Sequence, residues 1–345
     1  MSTLALEIRK HYKSKLLVFV LGIAFIEAVW LAGVIMVSAS RSPQGVQALK
    51  TFSLYNYMSM QWLLLGPTIA FLASRIAGVD QEGRMGQVFR ALGESPRRQF
   101  MTKLALLTGL GTLISMIMLI SAAFVGTQAG LLDSPSYAAV FWLIIALTIV
   151  SVFAISAVQL ALSNLFDGSS AGVIIGVVGT LITSLAGIAL KMPVIGWLLP
   201  WGLLMAGSPL ETLTPGNSAG TDFVLASNPW LLVALAAAVA LIAGAVATFL
   251  AFHMIFSRLV VKNSRRIRSL EGARHNPLRF FDARGYATMA VMMSFGIGMR
   301  AAGIFPDWFV AFFYTGLGLA LALAGVSFLL HRARGEGWVF HARRG

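Results

Sequence analysis

The chain has 345 residues, 58% of them hydrophobic and only 11% charged, with a mean hydropathy of +0.82 and no cysteine. A soluble domain carries roughly a quarter charged residues, so this chain cannot dress a water-facing surface and reads as an integral membrane protein. Its 26 Lys and Arg outnumber 13 Asp and Glu, for a net charge of +13, while the lack of cysteine excludes disulfides, thiolate metal sites, iron–sulfur clusters and thiol catalysis.

A helix crossing a ~30 Å hydrocarbon core needs about 20 mostly apolar residues. In chain order the runs that qualify are 16–37, 58–76, 104–126, 138–163, 171–190, 229–256, 286–302 and 308–330. The expectation is therefore an all-α polytopic protein of about eight transmembrane helices. The stretch 193–206 is apolar too, but Pro193 and Pro200 break it, so it reads as a re-entrant or interfacial piece. The first run is 22 residues long with Glu27 in its middle. That exceeds the apolar core of a signal peptide, which is roughly 7–15 residues.

Basic residues set the expected orientation. With eight spans, 22 of the 26 Lys and Arg fall on one side and only Arg41, Lys50, Lys191 and Arg300 on the other. Cytoplasmic loops carry such an excess, so both termini are expected in the cytoplasm of a multi-pass cell-membrane protein. The charge is thus a topology signal, and no nucleic-acid partner is expected. The same tally divides the chain into a six-helix unit, 1–262, a basic linker, 263–285, suited to anionic membrane lipid, and a two-helix unit with a basic tail, 286–345.

The loop between the second and third spans is the most informative. Met85, Val88, Phe89 and Leu92 follow i, i+3, i+4, i+7 spacing and give a short helix one apolar face, with Arg84, Gln87 and Arg90 around the rest. Gly93 ends that helix, and Ser95-Pro96 opens the next, since proline suits a first helical turn. This amphipathic elbow could lie on lipid or dock on a protein.

Few groups could do chemistry. His11, His253, His275, His331 and His341 make no metal-ligand spacing and no H-E-x-x-H pair, so neither a metal site nor catalysis by this chain is expected. Glu27 is the one acid well inside a span. An acid there costs about 2.5–3.5 kcal/mol on insertion scales, so it faces protein or a water-filled path. Its neighbours would be Gln61, Gln159 or Ser156, and Glu27 and Gln159 are the candidates for a translocation path. Gly172, Gly176, Gly179, Thr183 and Gly187 put small residues along one side of the fifth span, where helices pack closely, either within the chain or at a dimer seam. Thr108, Thr112 and Ser115 form a weaker stripe on the third.

Residues 1–262 resemble a permease of the type-2 ATP-binding-cassette (ABC) exporters, in particular the lantibiotic and bacitracin self-immunity branch. A basic N-terminal segment, ALEIRKHYKSK, runs straight into the first span. Glu82 follows span two, and Leu92, Arg97 and Lys103 fit the elbow pattern before span three. SAGVIIGVVGTLI and then Pro200-Trp201 resemble the fifth span and its sequel. Pro96 directly precedes Arg97, whereas the family usually has its proline about three residues before the arginine. The resemblance implies that the elbow is the helix that couples to an ABC ATPase, with Glu82, Arg84, Phe89, Arg90, Leu92 and Arg97 as its contacts. The sequence has no G-x-x-x-x-G-K-[ST] phosphate loop, so ATP and Mg would be bound by a separate subunit. The resemblance further implies a homomeric or heteromeric permease dimer that exports an amphipathic antimicrobial peptide. On the apolar runs alone, an ATPase-independent carrier or channel, or a membrane scaffold or sensor subunit, is also open.

Overall fold

The computed structural model describes residues 16–40, 52–82, 96–129, 135–165, 169–188, 193–213, 222–268 and 307–334, with isolated helical positions between 286 and 297. The elements are α1 (Leu16–Ser40), α2 (Phe52–Glu82), α3 (Pro96–Gln128), α4 (Pro135–Leu165) and α5 (Ser169–Ile188). They are followed by α6 (Pro193–Leu198), a 3-10 turn at Pro200–Gly202, α7 (Leu203–Ala206), β1 (Leu210–Leu213), β2 (Asp222–Leu225), α8 (Pro229–Arg268) and α9 (Asp307–Arg334). The protein is an all-α membrane bundle with one small hairpin.

Six described helices are long and apolar enough to cross a membrane: α1, α2, α3, α4, α8 and α9. The first of these runs, Leu16–Val37, has the bounds expected from hydropathy. The expected fifth span is α5, whose apolar part, Ser170–Leu185, is shorter. Most of the expected seventh, 286–302, lies outside the described residues, so the structure supports six full spans and the shorter α5 where eight were expected. As expected, the prolines break the stretch after α5: two short helices and a 3-10 turn replace one span. Such irregular backbone is tolerated at membrane depth only where protein or a cavity covers it.

The hairpin was not anticipated. Its strands pair antiparallel, Leu210 opposite Leu225 and Leu213 opposite Asp222. Ser208 braces the entry: its hydroxyl donates to the Leu210 carbonyl at 3.0 Å and accepts from the Leu210 N–H at 3.1 Å.

Contacts divide the chain into two compact units, Met1–Ala243 and Gly244–Gly345, with the boundary inside α8. In the first unit α2 is the hub, packing against α1, α3, α4 and α5. Its position explains its composition. The spanning part of α2 has a mean hydropathy of 1.2, the lowest of the six, yet 56% of it is buried, the highest share. Polar side chains are affordable there because they face other helices instead of lipid. Pro67 sits inside α2 and forgoes the backbone bond that position would make. The residue pairs give the helix directions: Gln61 meets Ser115 and Met118 while Ile69 meets Gly111, so α2 and α3 run antiparallel. A continuous apolar core joins Leu31 and Ile35 of α1, Leu54 of α2, Leu119 of α3, Leu143 and Leu147 of α4, Leu203 of α7, Leu210 of β1 and Ala236 of α8.

In the second unit, the C-terminal part of α8 packs on α9. Gly316 abuts the Ala245 carbonyl and Thr248, and Phe252 meets Phe313 edge-on at 5.8 Å, a favoured aromatic geometry.

Candidate functional site

The polar groups of the first unit gather on α2. Tyr57, Gln61 and Thr68 recur at helical spacing and so fall on one face, and each reaches a different neighbour. The hydroxyls of Tyr57 and Thr148 of α4 lie 3.1 Å apart. Gln61 donates from Nε2 to the Met118 sulfur at 3.0 Å and accepts from the Ser115 hydroxyl at 3.4 Å. The Thr68 hydroxyl donates to Oε1 of Glu27 at 3.0 Å, joining α2 to α1. Buried polar side chains must find partners, and this face of α2 supplies them across three helix contacts.

Glu27 is 7% exposed, and its partner corrects the expectation. Neither Gln61 nor Gln159 nor Ser156 holds it; Thr68 does, and Gln61 is engaged with α3. Thr68 immediately follows Gly66-Pro67, which could have marked this turn of α2 as special.

Gln159 belongs to a second polar group, between α4 and α5. It is fully buried; Nε2 donates to the Gly172 carbonyl, and Oε1 has no partner among the described residues. Gly176 lies against it. A Cβ on Gly176 would be 2.5 Å from the Ala70 methyl of α2 and 2.9 Å from Gln159 Oε1. A Cβ on Gly179 would be 2.5 to 2.8 Å from the Trp201 indole, and one on Gly172 would be 3.1 Å from the Ser163 hydroxyl. All three glycines therefore face helices of their own chain. On α2, Gly66 makes the matching notch: its missing side chain leaves room for Thr180 and for the edge of Trp201. Trp201, carried by the broken stretch after α5, is clasped between α2 and α5. Glu27 and Gln159 are thus held by different partners in different helix contacts.

The coupling candidates lie at the connection between α2 and α3. Glu82 is the last residue of α2 and Arg97 the second of α3; the helix begins at Pro96, as its first-turn preference predicts. Arg84, Phe89, Arg90 and Leu92 lie outside the described residues. Among the described residues no group of three or more His, Asp or Glu side chains could hold a metal ion.

The family model for the ABC-2 family transporter proteins matches residues 3–183. That is over half of the chain, and it runs from before α1 into α5. The chain belongs to the ABC-2 transporter family. It is therefore a multi-pass membrane permease of the ABC-exporter type, and the family implies partnership with an ABC ATPase. No curated protein and no solved structure matched the sequence significantly.

Proposed function

We propose that this ABC-2 permease exports, or clears from the cell membrane, an amphipathic substrate of the antimicrobial-peptide kind, as in the lantibiotic and bacitracin immunity branch. The observation that carries the reading is the family match over residues 3–183, which includes α1 to α4 and the elbow between α2 and α3. ATP and Mg bind a separate ATPase, since the sequence lacks a phosphate loop. That ATPase docks on the elbow through Glu82, Arg84, Phe89, Arg90, Leu92 and Arg97. Two permease chains, identical or related, alternate between conformations around the path. Residues 1–262 form the transporting unit and 263–285 a basic, lipid-binding linker to the 286–345 unit. The one-sided distribution of Lys and Arg supports cytoplasmic termini.

The test is transport in proteoliposomes holding the permease and its co-purified ATPase, with a fluorescently labelled cationic amphipathic peptide. The expected result is ATP-dependent movement of the peptide that a non-hydrolysable ATP analogue abolishes. Equal movement without ATP contradicts the proposal.

A further inference from the structure

Glu27 sits at the midpoint of the apolar run Leu16–Val37, where a charge is costly unless something opposes it. Among the described residues its hydrogen bond comes from the neutral hydroxyl of Thr68. Arg75, Arg97, Arg98 and Lys103, the basic residues of α2 and α3, lie toward the helix ends that flank the elbow, whereas Glu27 lies mid-run. The acid is buried between the helices. A neutral glutamine would hydrogen-bond Thr68 equally well, and packing alone gives no reason for a carboxylate.

The helix that carries it is the least enclosed of the six spans: 28% of α1 is buried. It meets the bundle along one narrow stripe, Val20, Ala24, Glu27, Leu31 and Ile35, while Phe25, Ile26, Val29 and Trp30 point away and are exposed. The stripe next to Glu27 is lined by the small Ala24. α1 packs chiefly on α3 and more lightly on α2, so the seam with α2 that holds Glu27 is the lighter of these two contacts.

We propose that Glu27, held by Thr68 where α1 meets α2, is the recognition point for the ammonium or guanidinium group of an amphipathic substrate that enters from the bilayer. Its apolar body stays against α1 and lipid, and its one positive charge opposes the charge of the acid. Tyr57 and Gln61 fall on the same face of α2 as Thr68. This rests on the exporter reading and names the chemical class of its substrate.

The test is binding to the full chain in nanodiscs of zwitterionic lipid, with empty nanodiscs as background. The probes are a fluorescent amphipathic peptide with a single lysine and its glutamine counterpart. A charge-assisted hydrogen bond is worth roughly 1.5–3 kcal/mol, or about tenfold or more in affinity. Wild type should therefore prefer the lysine peptide by about tenfold or more. Glu27→Gln should erase that preference and leave affinity for the glutamine peptide unchanged; Thr68→Val should weaken the preference with Glu27 intact. If Glu27→Gln does not fold, Glu27→Asp, which keeps the charge on a shorter arm, should retain a reduced preference. A wild type without preference, or a Glu27→Gln protein that keeps it or loses affinity for both peptides equally, overturns the proposal. The exporter reading fails separately: a lysine preference sensitive to Glu27, in a complex that moves neither peptide on ATP, leaves the site standing and removes the export.

Discussion

Replacing Gly179 by leucine should unfold or strongly destabilise the first unit. The α5 backbone passes the Trp201 indole so closely that even a methyl would meet three ring atoms at 2.5 to 2.8 Å. The ring has little room to retreat, because its other edge is already in the notch left by Gly66 of α2. Overpacking of a well-filled interior costs about 1–3 kcal/mol, and a four-carbon side chain aimed at an aromatic ring belongs at the upper end. A lower thermal midpoint in detergent, and a loss of the monodisperse peak, would report it. Gly33→Leu is the control, since nothing lies within 4 Å of a Cβ there. Residues in contact couple, so Trp201→Ala should restore part of the stability of Gly179→Leu. A Gly179→Leu protein as stable as the Gly33→Leu control would show that Trp201 does not occupy this notch.

Changing Phe89 to aspartate should leave the bundle intact and abolish coupling to the ATPase. By its spacing Phe89 is expected to share an apolar helix face with Met85, Val88 and Leu92, and an apolar anchor at a docking surface typically loses about 2 kcal/mol or more on truncation. An aspartate adds the cost of an unpaired charge at the interface. The expected outcome is at least a tenfold fall in ATP-dependent transport, with unchanged expression and thermal midpoint. An equal fall in stability would make the elbow part of the packed bundle, and unchanged transport would remove it from coupling.

Much of the fold was legible because lipid imposes a simple rule on composition. The run Leu16–Val37 was recovered to the residue, since α1 faces lipid on most sides and its apolar length is set by the bilayer. The second span was read as 58–76, whereas α2 is apolar enough to span from Ser53 to Gly78. The missing turn carries Ser53 and Tyr57, polar groups buried against other helices, and hydropathy cannot separate such residues from a loop. Pro193 and Pro200 correctly broke the stretch after α5, as proline lacks the donor a helix needs.

The hairpin was missed although its signals were present. Leu210–Leu213 and Asp222–Leu225 flank the turn-rich TPGNSAG, the arrangement expected of a hairpin, but four residues are too few for alternation to stand out. The site was only partly readable. Glu27 stood out by its charge and Gln159 by its polarity, and Gly172, Gly176 and Gly179 by their spacing. Partners were not readable. Thr68 is an ordinary residue in an apolar run, and which helix meets Glu27 is decided by tertiary packing around α2. Likewise, spacing alone left the glycine face between a dimer seam and an internal contact, and Trp201, more than twenty residues away in sequence, is what fills it.

If this chain is the transport subunit of an exporter driven by ATP on a separate chain, the two should travel together. Affinity purification from the native host in mild detergent, with mass spectrometry and an ATPase assay on the eluate, tests it most directly. The expected result is an ABC ATPase in the eluate, retained by wild type and lost with Phe89→Asp, carrying ATP hydrolysis that the permease alone lacks. A wild-type permease that elutes without any ATPase, yet moves the labelled amphipathic peptide across proteoliposomes, would contradict it.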